Sequence, residues 1–296
     1  MVDSNLERQF WRCVNYKVAA RWQKPFLNPV RFLRNQLHCR QIPTYKLGEQ
    51  RRVNAFHLSP FTIVNGEAVS ELIANYGIYE EELTEAFLHL IEPGQVVVDV
   101  GMHLGYFTAL FAQLVGSGGR VHSFEPTPST RELARANVGQ FPQVTVHPFA
   151  VWSSAKTMTF RDYGIECMAF NSFTVARMEN APMPTLFEAE TMTLDQLRET
   201  LHSPIALIKI DAESAERDIL MGSASVLQSD GPIISLEVGD EGDTSGRSRE
   251  LIEMTHKMNY RAWEFQNGRF AIHSVRSSYT YDNLIFAPIS LDLSVK

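Results

Sequence analysis

The chain of 296 residues has an ordinary composition, with 44% hydrophobic residues, 17 glycines and 14 prolines. These values exclude a disordered, fibrous or low-complexity protein and fit one large globular domain, or one domain with a smaller appendage. No apolar run reaches the roughly 18 residues of a membrane span, the start lacks the apolar core of a signal peptide, and the three cysteines lack CxxC spacing, so a cytoplasmic protein is expected.

Charge is divided unequally along the chain. Residues 1–52 carry eleven Lys and Arg side chains against three acidic ones, a net charge of +8, whereas the rest of the chain has a net charge of −15. Helical apolar spacing over 5–22 ends at Lys24-Pro25, and a second helical pattern begins at Pro29. We therefore predict a basic helical arm over 1–68 and a main domain over 69–296.

The basic arm has three candidate partners. It packs on the main domain, or on another subunit of a homo-oligomer, or it contacts an anionic membrane surface or an acidic, lipid-linked substrate through its aromatic and basic faces. In the last case the protein is peripheral to the inner face of the membrane. Nucleic acid is not the expected partner.

Short apolar strands alternate with helices after a helical pattern over 69–90 that is interrupted at Gly77. Predicted strands cover 96–100, 121–124, 144–147, 206–210, 233–238, 260–265 and 284–286, and predicted helices cover 106–115, 129–139, 215–228 and 248–258. This alternation predicts an α/β fold with a doubly wound, mostly parallel seven-stranded sheet covered by helices on both faces. Residues 157–191 break the rhythm and are predicted to form a hairpin and flap that shape the substrate pocket.

The sharpest motif follows the strand over 96–100. Asp99 lies within that strand, and Gly101 and Gly105 bound a turn that leads straight into a helix, without the GxGxxG or P-loop spacing of phosphate sites. Glu125, at the end of the next strand, is placed to accept hydrogen bonds from both hydroxyls of a ribose, whereas Asp99 suits an ammonium group. An amino acid joined to a nucleoside meets both demands, which predicts S-adenosylmethionine. The alternative is a glycine pair that serves only tight packing.

Several motifs in one order resemble those of the FkbM-type S-adenosylmethionine-dependent methyltransferases. The likeness covers 70–287 and rests on segments 77–80, 97–108, 124–126, 193–197, 208–216 and 234–237. It implies a class I, Rossmann-like methyltransferase that methylates a hydroxyl of a sugar, glycolipid or polyketide-like natural product. Met102 and His103 replace the family's usual small residue and Asn, and Ser214 replaces its usual Gly. The predicted cofactor-binding residues are Asp99, Gly101, His103, Gly105, Tyr106, Phe107, Thr108, Glu125, Pro126, Ala150, Val151 and Asp211.

Methyl transfer to a hydroxyl needs alignment of the reactants and a base that removes the proton. Asp211 and Glu213 follow the strand over 206–210, whose carboxyl end opens onto the same crevice, and they are the main candidates for orienting the acceptor and removing its proton. Glu237 on the neighbouring strand and His103 on the cofactor loop are further catalytic candidates. Asp211, Glu213 and Glu237 together could instead hold a divalent cation such as magnesium.

The sequence also allows other roles for these residues. Asp211 could be a helix N-terminal carboxylate and His103 a loop-packing residue, while Tyr281, Asp282 and Asn283 are expected to border the pocket. The acceptor is expected to be a small molecule or a glycan. Methylation of a nitrogen or a carboxylate, or a non-catalytic cofactor-binding assembly module, are the competing functions.

Overall fold

The structure, a computed structural model, describes residues 4–41, 46–174, 182–240, 247–280 and 282–296. Its N-terminal segment forms helices α1 (Ser4–Val18), α2 (Lys24–Leu27) and α3 (Pro29–Gln41), then a hairpin of β1 (Gln50–Val53) and β2 (Phe61–Val64). The prediction that Lys24-Pro25 ends a helix over 5–22 is wrong, because α1 ends at Val18 and Pro25 lies in the first turn of α2. A proline is tolerated there, since the first N–H groups of a helix have no intrahelical acceptor.

The N-terminal helices share a hydrophobic core with the rest of the chain. Phe10 of α1 is fully buried against Phe56, whose ring in turn contacts Tyr106, with ring centroids 5.6 and 6.4 Å apart. The buried guanidinium of Arg31 donates hydrogen bonds to the carbonyl oxygen of Asn54 at 2.7 Å and to that of Ala74, in the predicted main domain, at 3.4 Å. The helices therefore pack on the main domain, one of the arrangements that the sequence left open, and the boundary at residue 68 stays a prediction. None of the helices in the described residues is long and apolar enough to cross a membrane.

Two helices, α4 (Ala68–Tyr76) and α5 (Glu81–Leu90), precede the central sheet. Gly77 caps α4 in the left-handed conformation, with φ of 80°, which confirms the predicted interruption. The chain continues as β3 (Val96–Val100), α6 (Tyr106–Val115), β4 (Arg120–Phe124), α7 (Pro128–Val138) and β5 (Val144–His147). These five elements match the predicted ones to within about one residue at each end, which is the usual precision of helix boundaries.

A small sheet is inserted after β5, as the break in the sequence pattern predicts. It consists of β6 (Ala150–Val151), β7 (Thr157–Asp162) and β8 (Thr185–Met192), with β8 in the middle. β7 and β8 pair antiparallel, which confirms the predicted hairpin, and residues 175–181 of the predicted flap lie outside the described residues. β8 leads into α8 (Leu194–Glu199), which begins with a capping box formed by Thr193 and Gln196.

The C-terminal half completes the central sheet. Its elements are β9 (Ile205–Ile210), α9 (Glu216–Met221), α10 (Ala224–Ser229), β10 (Ile233–Val238), α11 (Arg247–Lys257), β11 (Tyr260–Gln266), β12 (Arg269–Ile272) and β13 (Asp282–Pro288). The single helix predicted over 215–228 is wrong, because the chain breaks into α9 and α10 at Gly222. A Cβ at Gly222 would lie 2.2 Å from the carbonyl oxygen of Trp152, so the break lets two backbone segments approach closely.

The central sheet has eight strands in the order β12-β11-β13-β10-β9-β3-β4-β5. The five strands from β10 to β5 are parallel, whereas β13, β11 and β12 are joined by antiparallel pairing. The predicted α/β class is confirmed, but the sheet is mixed and has one strand more than predicted. The additional strand is β12, which forms a hairpin with β11 through Asn267-Gly268, both at positive φ.

Both faces of the sheet are buried. Val97 of β3 belongs to the core that includes Phe10 and Phe107, whereas Val96 and Val98 belong to the core on the other face. Successive side chains of a strand point to opposite faces, so a strand with two buried faces is a continuous apolar run. The carboxyl ends of β3, β4, β9 and β10 consequently meet at one edge, where ligands of open α/β sheets bind.

Candidate active site

A cavity with about 1040 Å³ of empty space, part of it open to solvent, lies at this edge of the sheet. The predicted site residues that line it are Gly101, His103, Tyr106, Phe107, Glu125, Pro126, Ala150, Val151, Asp211, Glu213 and Glu237. Asp99, Gly105 and Thr108, which were predicted to bind the cofactor, are not among the lining residues.

The two glycines of the cofactor loop allow close packing. Gly101 has φ of 79°, and a Cβ there would lie 1.9 Å from the carbonyl oxygen of Asp211. Gly105 has φ of 83° and packs against α7, where a Cβ would meet Val138 at 3.1 Å. Gly101 thus brings the ends of β3 and β9 together and also lines the cavity, and its role in binding the cofactor stays a prediction.

Asp99 is buried inside the protein beside the cavity. Its carboxylate accepts a hydrogen bond from the Thr108 hydroxyl at 2.6 Å and lies 3.8 Å from the Lys209 ammonium. Asp99 and Lys209 are paired across β3 and β9, and Asp99 is fully buried. Asp99 and Thr108 therefore have partners within the protein, and their role in cofactor binding stays a prediction.

Lys209 is a cavity residue that the sequence-based site prediction omitted. Its side chain is 3% exposed, donates a hydrogen bond to Asp211 at 3.0 Å, and places its ammonium 5.1 Å from the centre of the Phe107 ring. Burial alone would lower the pKa of Lys209, but the carboxylates of Asp211, Asp99 and Glu80 together raise the pKa above its usual range. Lys209 therefore stays charged and holds the Asp211 carboxylate in place. The sequence feature that could have identified Lys209 is a charged residue within a strand that is otherwise apolar.

Two further carboxyl groups lie near Asp211, that of Glu237 in the cavity wall and that of Glu80 outside it. Burial and the charges of Asp211 and Glu213 raise the pKa of Glu237 to about 9, so Glu237 carries a proton at neutral pH. Burial and the Asp211 charge raise the pKa of Glu80 to about 7, and its carboxylate accepts a hydrogen bond from Asn283 at 3.1 Å. Asn283 faces Glu237 across β10 and β13, so these groups form one cluster.

Glu80 and Asn283 differ from what the sequence predicted for them. Glu80 was not a predicted site residue, although it closes the 77–80 motif and follows Tyr79, which lines the cavity. Asn283 was expected to border the pocket, but it bonds Glu80 behind the cavity wall. Tyr281 lies outside the described residues.

Glu125 directly follows β4. In the sheet, β3 separates β4 from β9 and β10, at whose carboxyl ends Asp211 and Glu237 lie. Glu125 is 7% exposed and accepts a hydrogen bond from the backbone N–H of Thr127 at 2.9 Å. Burial raises the pKa of Glu125 to about 7, although hydrogen bonds from Thr127 oppose the rise. Apolar residues from the loop after β5 and from the inserted segment complete the lining, as predicted for the flap; they include Phe149, Phe160, Met168 and Phe173.

His103 lies on the cofactor loop with its backbone in the left-handed region, at φ of 48°. Its Nε2 is 3.8 Å from the Glu67 carboxylate and has no hydrogen-bond partner within the described part of the chain. Burial lowers the pKa of His103, although Glu67 opposes this, so the imidazole is neutral at neutral pH. A neutral imidazole with an unpaired nitrogen can bond an arriving ligand.

Backbone strain is concentrated around the cavity. Among the described residues, six non-glycine residues have positive φ, and four of them are Glu80, His103, Glu213 and Ser214. The family's usual Asn at 103 and Gly at 214 are residue types that adopt this conformation most easily. The two departures from the family pattern therefore occupy strained positions of the kind that cluster at active sites.

The carboxylates of the cavity are not arranged as a metal site. Among the described residues, no group of three or more His, Cys, Asp or Glu side chains could hold a metal ion. The hypothesis of a cation held by Asp211, Glu213 and Glu237 is therefore not supported. The Lys209 ammonium already bonds Asp211, and Glu237 holds a proton that a metal would have to displace.

A glycine turn after the first parallel strand, an acidic residue at the end of the second and a cavity between them are the arrangement expected of an S-adenosylmethionine-dependent methyltransferase. Residues 99–276 match the family model described as the methyltransferase FkbM domain. Residues 44–149 also match the model of the protein-L-isoaspartate(D-aspartate) O-methyltransferases. The chain belongs to the FkbM methyltransferase family.

Individual proteins show the same similarity. The chain is 30% identical to 31-O-demethyl-FK506 methyltransferase FkbM of Streptomyces tacrolimicus over 254 residues, which cover 73% of this chain and 95% of that protein. It is 26% identical over 231 residues to the AMB antimetabolite synthetase AmbE of Pseudomonas aeruginosa, covering 64% of this chain and 11% of that protein. A crystal structure of an FkbM methyltransferase from Methylobacillus flagellatus superposes with a TM-score of 0.41 at 13% identity, covering 74% of this chain and 52% of that one.

Proposed function

We propose that this enzyme methylates a hydroxyl oxygen of a small-molecule or glycan acceptor, of the sugar, glycolipid or polyketide-like class. The observation that carries the proposal is the pairing in one cavity wall of Asp211, bonded to an ammonium, with Glu237, which is protonated at neutral pH. A carboxylate that is held by an ammonium and partly exposed at a cavity is placed to accept a proton from a bound hydroxyl. The name of the Streptomyces tacrolimicus relative also describes methylation at an oxygen position.

The cofactor end of the cavity is formed by residues that suit a nucleoside. Glu125 is assigned to the ribose hydroxyls, because its carboxylate lines the cavity and retains acceptor capacity beyond its bond from Thr127. The apolar side chains of Phe149, Val151 and Phe173 suit an adenine ring. When bound, S-adenosylmethionine supplies a methyl group activated by its sulfonium.

The acceptor end is formed by Asp211, Glu213 and Glu237. Asp211 is 33% exposed at the cavity while Lys209 fixes it from behind, so it is assigned as the base that takes the proton of the acceptor hydroxyl. The protonated Glu237 is assigned to donate a hydrogen bond to the acceptor oxygen and orient it. Glu213 lines the wall beside them and is assigned to acceptor binding.

A substrate screen tests the proposed reaction. The purified protein is incubated with S-adenosylmethionine and separate panels of glycosides, glycolipids, hydroxylated macrolides, amines and carboxylic acids, and products are detected by a mass gain of one methyl group. Methylation within the hydroxyl panels is expected. Products found only among the amines or the carboxylic acids would contradict the proposal.

Glu125→Ala is expected to weaken the binding of S-adenosylhomocysteine by more than about tenfold, or roughly 1.4 kcal/mol. Calorimetric titration measures the Kd, with Glu132→Ala on the exposed face of α7 as the matched control. Because the pKa of Glu125 is about 7, its carboxylate gains a proton as the pH falls, and wild-type affinity should decrease between about pH 8 and about pH 6. An unchanged Kd for Glu125→Ala would refute the ribose assignment.

A further inference from the structure

The N-terminal helices expose large apolar side chains although they are anchored through other residues. Val18, Trp22 and Phe26 are 75%, 71% and 83% exposed. Together with five more residues they form what we term the N-terminal apolar face, and they supply eight of the seventeen exposed large hydrophobic residues in the described chain. The remaining members are Trp11, Leu27, Val30, Leu33 and Leu37. Such a concentration of exposed apolar surface marks an interaction site.

Helical geometry gathers these side chains on outward faces. Trp11 and Val18 lie seven residues apart on α1, opposite the buried Leu6, Phe10 and Cys13. On α3 the exposed members follow the spacing i, i+3, i+7, while Arg31 points inward. The short helix α2 contacts both α1 and α3. α1 therefore carries exposed apolar side chains in addition to those that enter the core, and the ring of one of them, Trp11, also contacts the core residue Phe10.

Arginines accompany the N-terminal apolar face. Arg8, Arg12, Arg21 and Arg34 are all exposed on or between these helices, whereas the one exposed acidic residue of α1 is Glu7. The rest of the chain has a net charge of −15, so the net positive charge lies in this N-terminal part. Exposed Trp and Phe side chains between arginines are the composition of helices that lie in the interface of an anionic bilayer.

We propose that the N-terminal apolar face docks the enzyme on an anionic membrane surface. The apolar side chains enter the interface between headgroups and acyl chains, and the four arginines bind the anionic headgroups. A second copy of the chain is a poorer occupant, because a two-fold symmetric contact through this face would bring two sets of arginines together. The buried contacts of Phe10 and Arg31 hold the helices on the domain, so docking needs no unfolding.

Co-sedimentation with vesicles tests the docking surface with the full chain. The protein should sediment with phosphatidylcholine vesicles that contain phosphatidylserine, remain in the supernatant with phosphatidylcholine alone, and dissociate as salt is added. The double substitution Trp22→Ser with Phe26→Ser should reduce binding more than about tenfold, since burying these side chains supplies the apolar part of the affinity. The matched control is Met183→Ser with Val295→Ser, which removes apolar side chains elsewhere that are at least as exposed.

Two further measurements separate membrane docking from misfolding and from dimer formation. Unchanged affinity for S-adenosylhomocysteine shows that the variants are folded, and this readout does not depend on the identity of the methyl acceptor. Equal recovery in the supernatant with and without phosphatidylserine would overturn the proposal. So would a wild-type dimer in analytical ultracentrifugation that dissociates in the Trp22→Ser, Phe26→Ser variant, because the face would then join two copies of the chain.

Discussion

Asp211→Asn is expected to lower kcat by about a hundred- to ten-thousandfold, the contribution of a well-placed general base. The amide keeps the size of the side chain but cannot accept the proton of an acceptor hydroxyl. Because the proposed role of Asp211 is on the acceptor side of the cavity, the Kd for S-adenosylhomocysteine should change little. Initial rates with an acceptor found in the substrate screen measure the loss, and calorimetry measures the Kd.

Two neighbouring carboxyl groups provide the controls for Asp211. Glu237→Gln keeps a hydrogen-bond donor where the protonated acid has one, so its loss of kcat should be much smaller than that of Asp211→Asn. Glu213→Gln, at the cavity wall, should raise the KM for the acceptor more than it lowers kcat. A variant Asp211→Asn with near wild-type kcat, or with a loss equal to that of Glu237→Gln, would remove the base assignment.

The sheet could be predicted where its strands are continuous apolar runs. β3 and β9 are buried on both faces, and the sequence predicts both to within one residue. It also predicts that the glycine turn follows β3 directly. β12 was missed because its four residues show only one buried side chain. The Asn267-Gly268 dipeptide was the available signal, since two residues at positive φ are what a tight hairpin requires.

The sequence could predict those site residues that lie at the carboxyl ends of parallel strands. Glu125 and Asp211 directly follow parallel strands and Glu237 is the last residue but one of another, so the topology alone brings them to one edge. The partnership of Asp99 with Lys209 depends on the register between β3 and β9, which periodicity does not specify. A strand register is set by packing across the whole sheet.

The cluster around Glu80 shows why the rest of the site could not be read from sequence. Glu80 receives its hydrogen bond from Asn283, which is 203 positions away in the chain. Its raised pKa comes from burial and from the Asp211 charge, and both exist only in the folded protein. The sequence shows which carboxyl groups are present, whereas their protonation states follow from the packing around them.

Lys209→Met is expected to lower the free energy of unfolding by about 3–5 kcal/mol, because it leaves a buried carboxylate without its counter-ion. The carboxylate is that of Asp99, which is fully buried and keeps only hydrogen bonds from Thr108 once the ammonium 3.8 Å away is removed. Urea unfolding measures the loss. Lys257→Met, at an exposed position of α11, is the matched control and should change stability by less than about 0.5 kcal/mol.

The cause of the loss can be isolated through Asp99. Adding Asp99→Asn to Lys209→Met should restore part of the lost stability, because the amide is neutral and still accepts the hydrogen bond from Thr108. Burial raises the pKa of Asp99 even in the wild type, and without Lys209 the pKa should rise further. The folded variant then takes up a proton that the unfolded chain does not, so its deficit should shrink as the pH falls toward the ordinary Asp pKa of about 3.9. A deficit that is the same at every pH, or equal to that of Lys257→Met, would show that the Lys209 ammonium does not neutralise a buried charge.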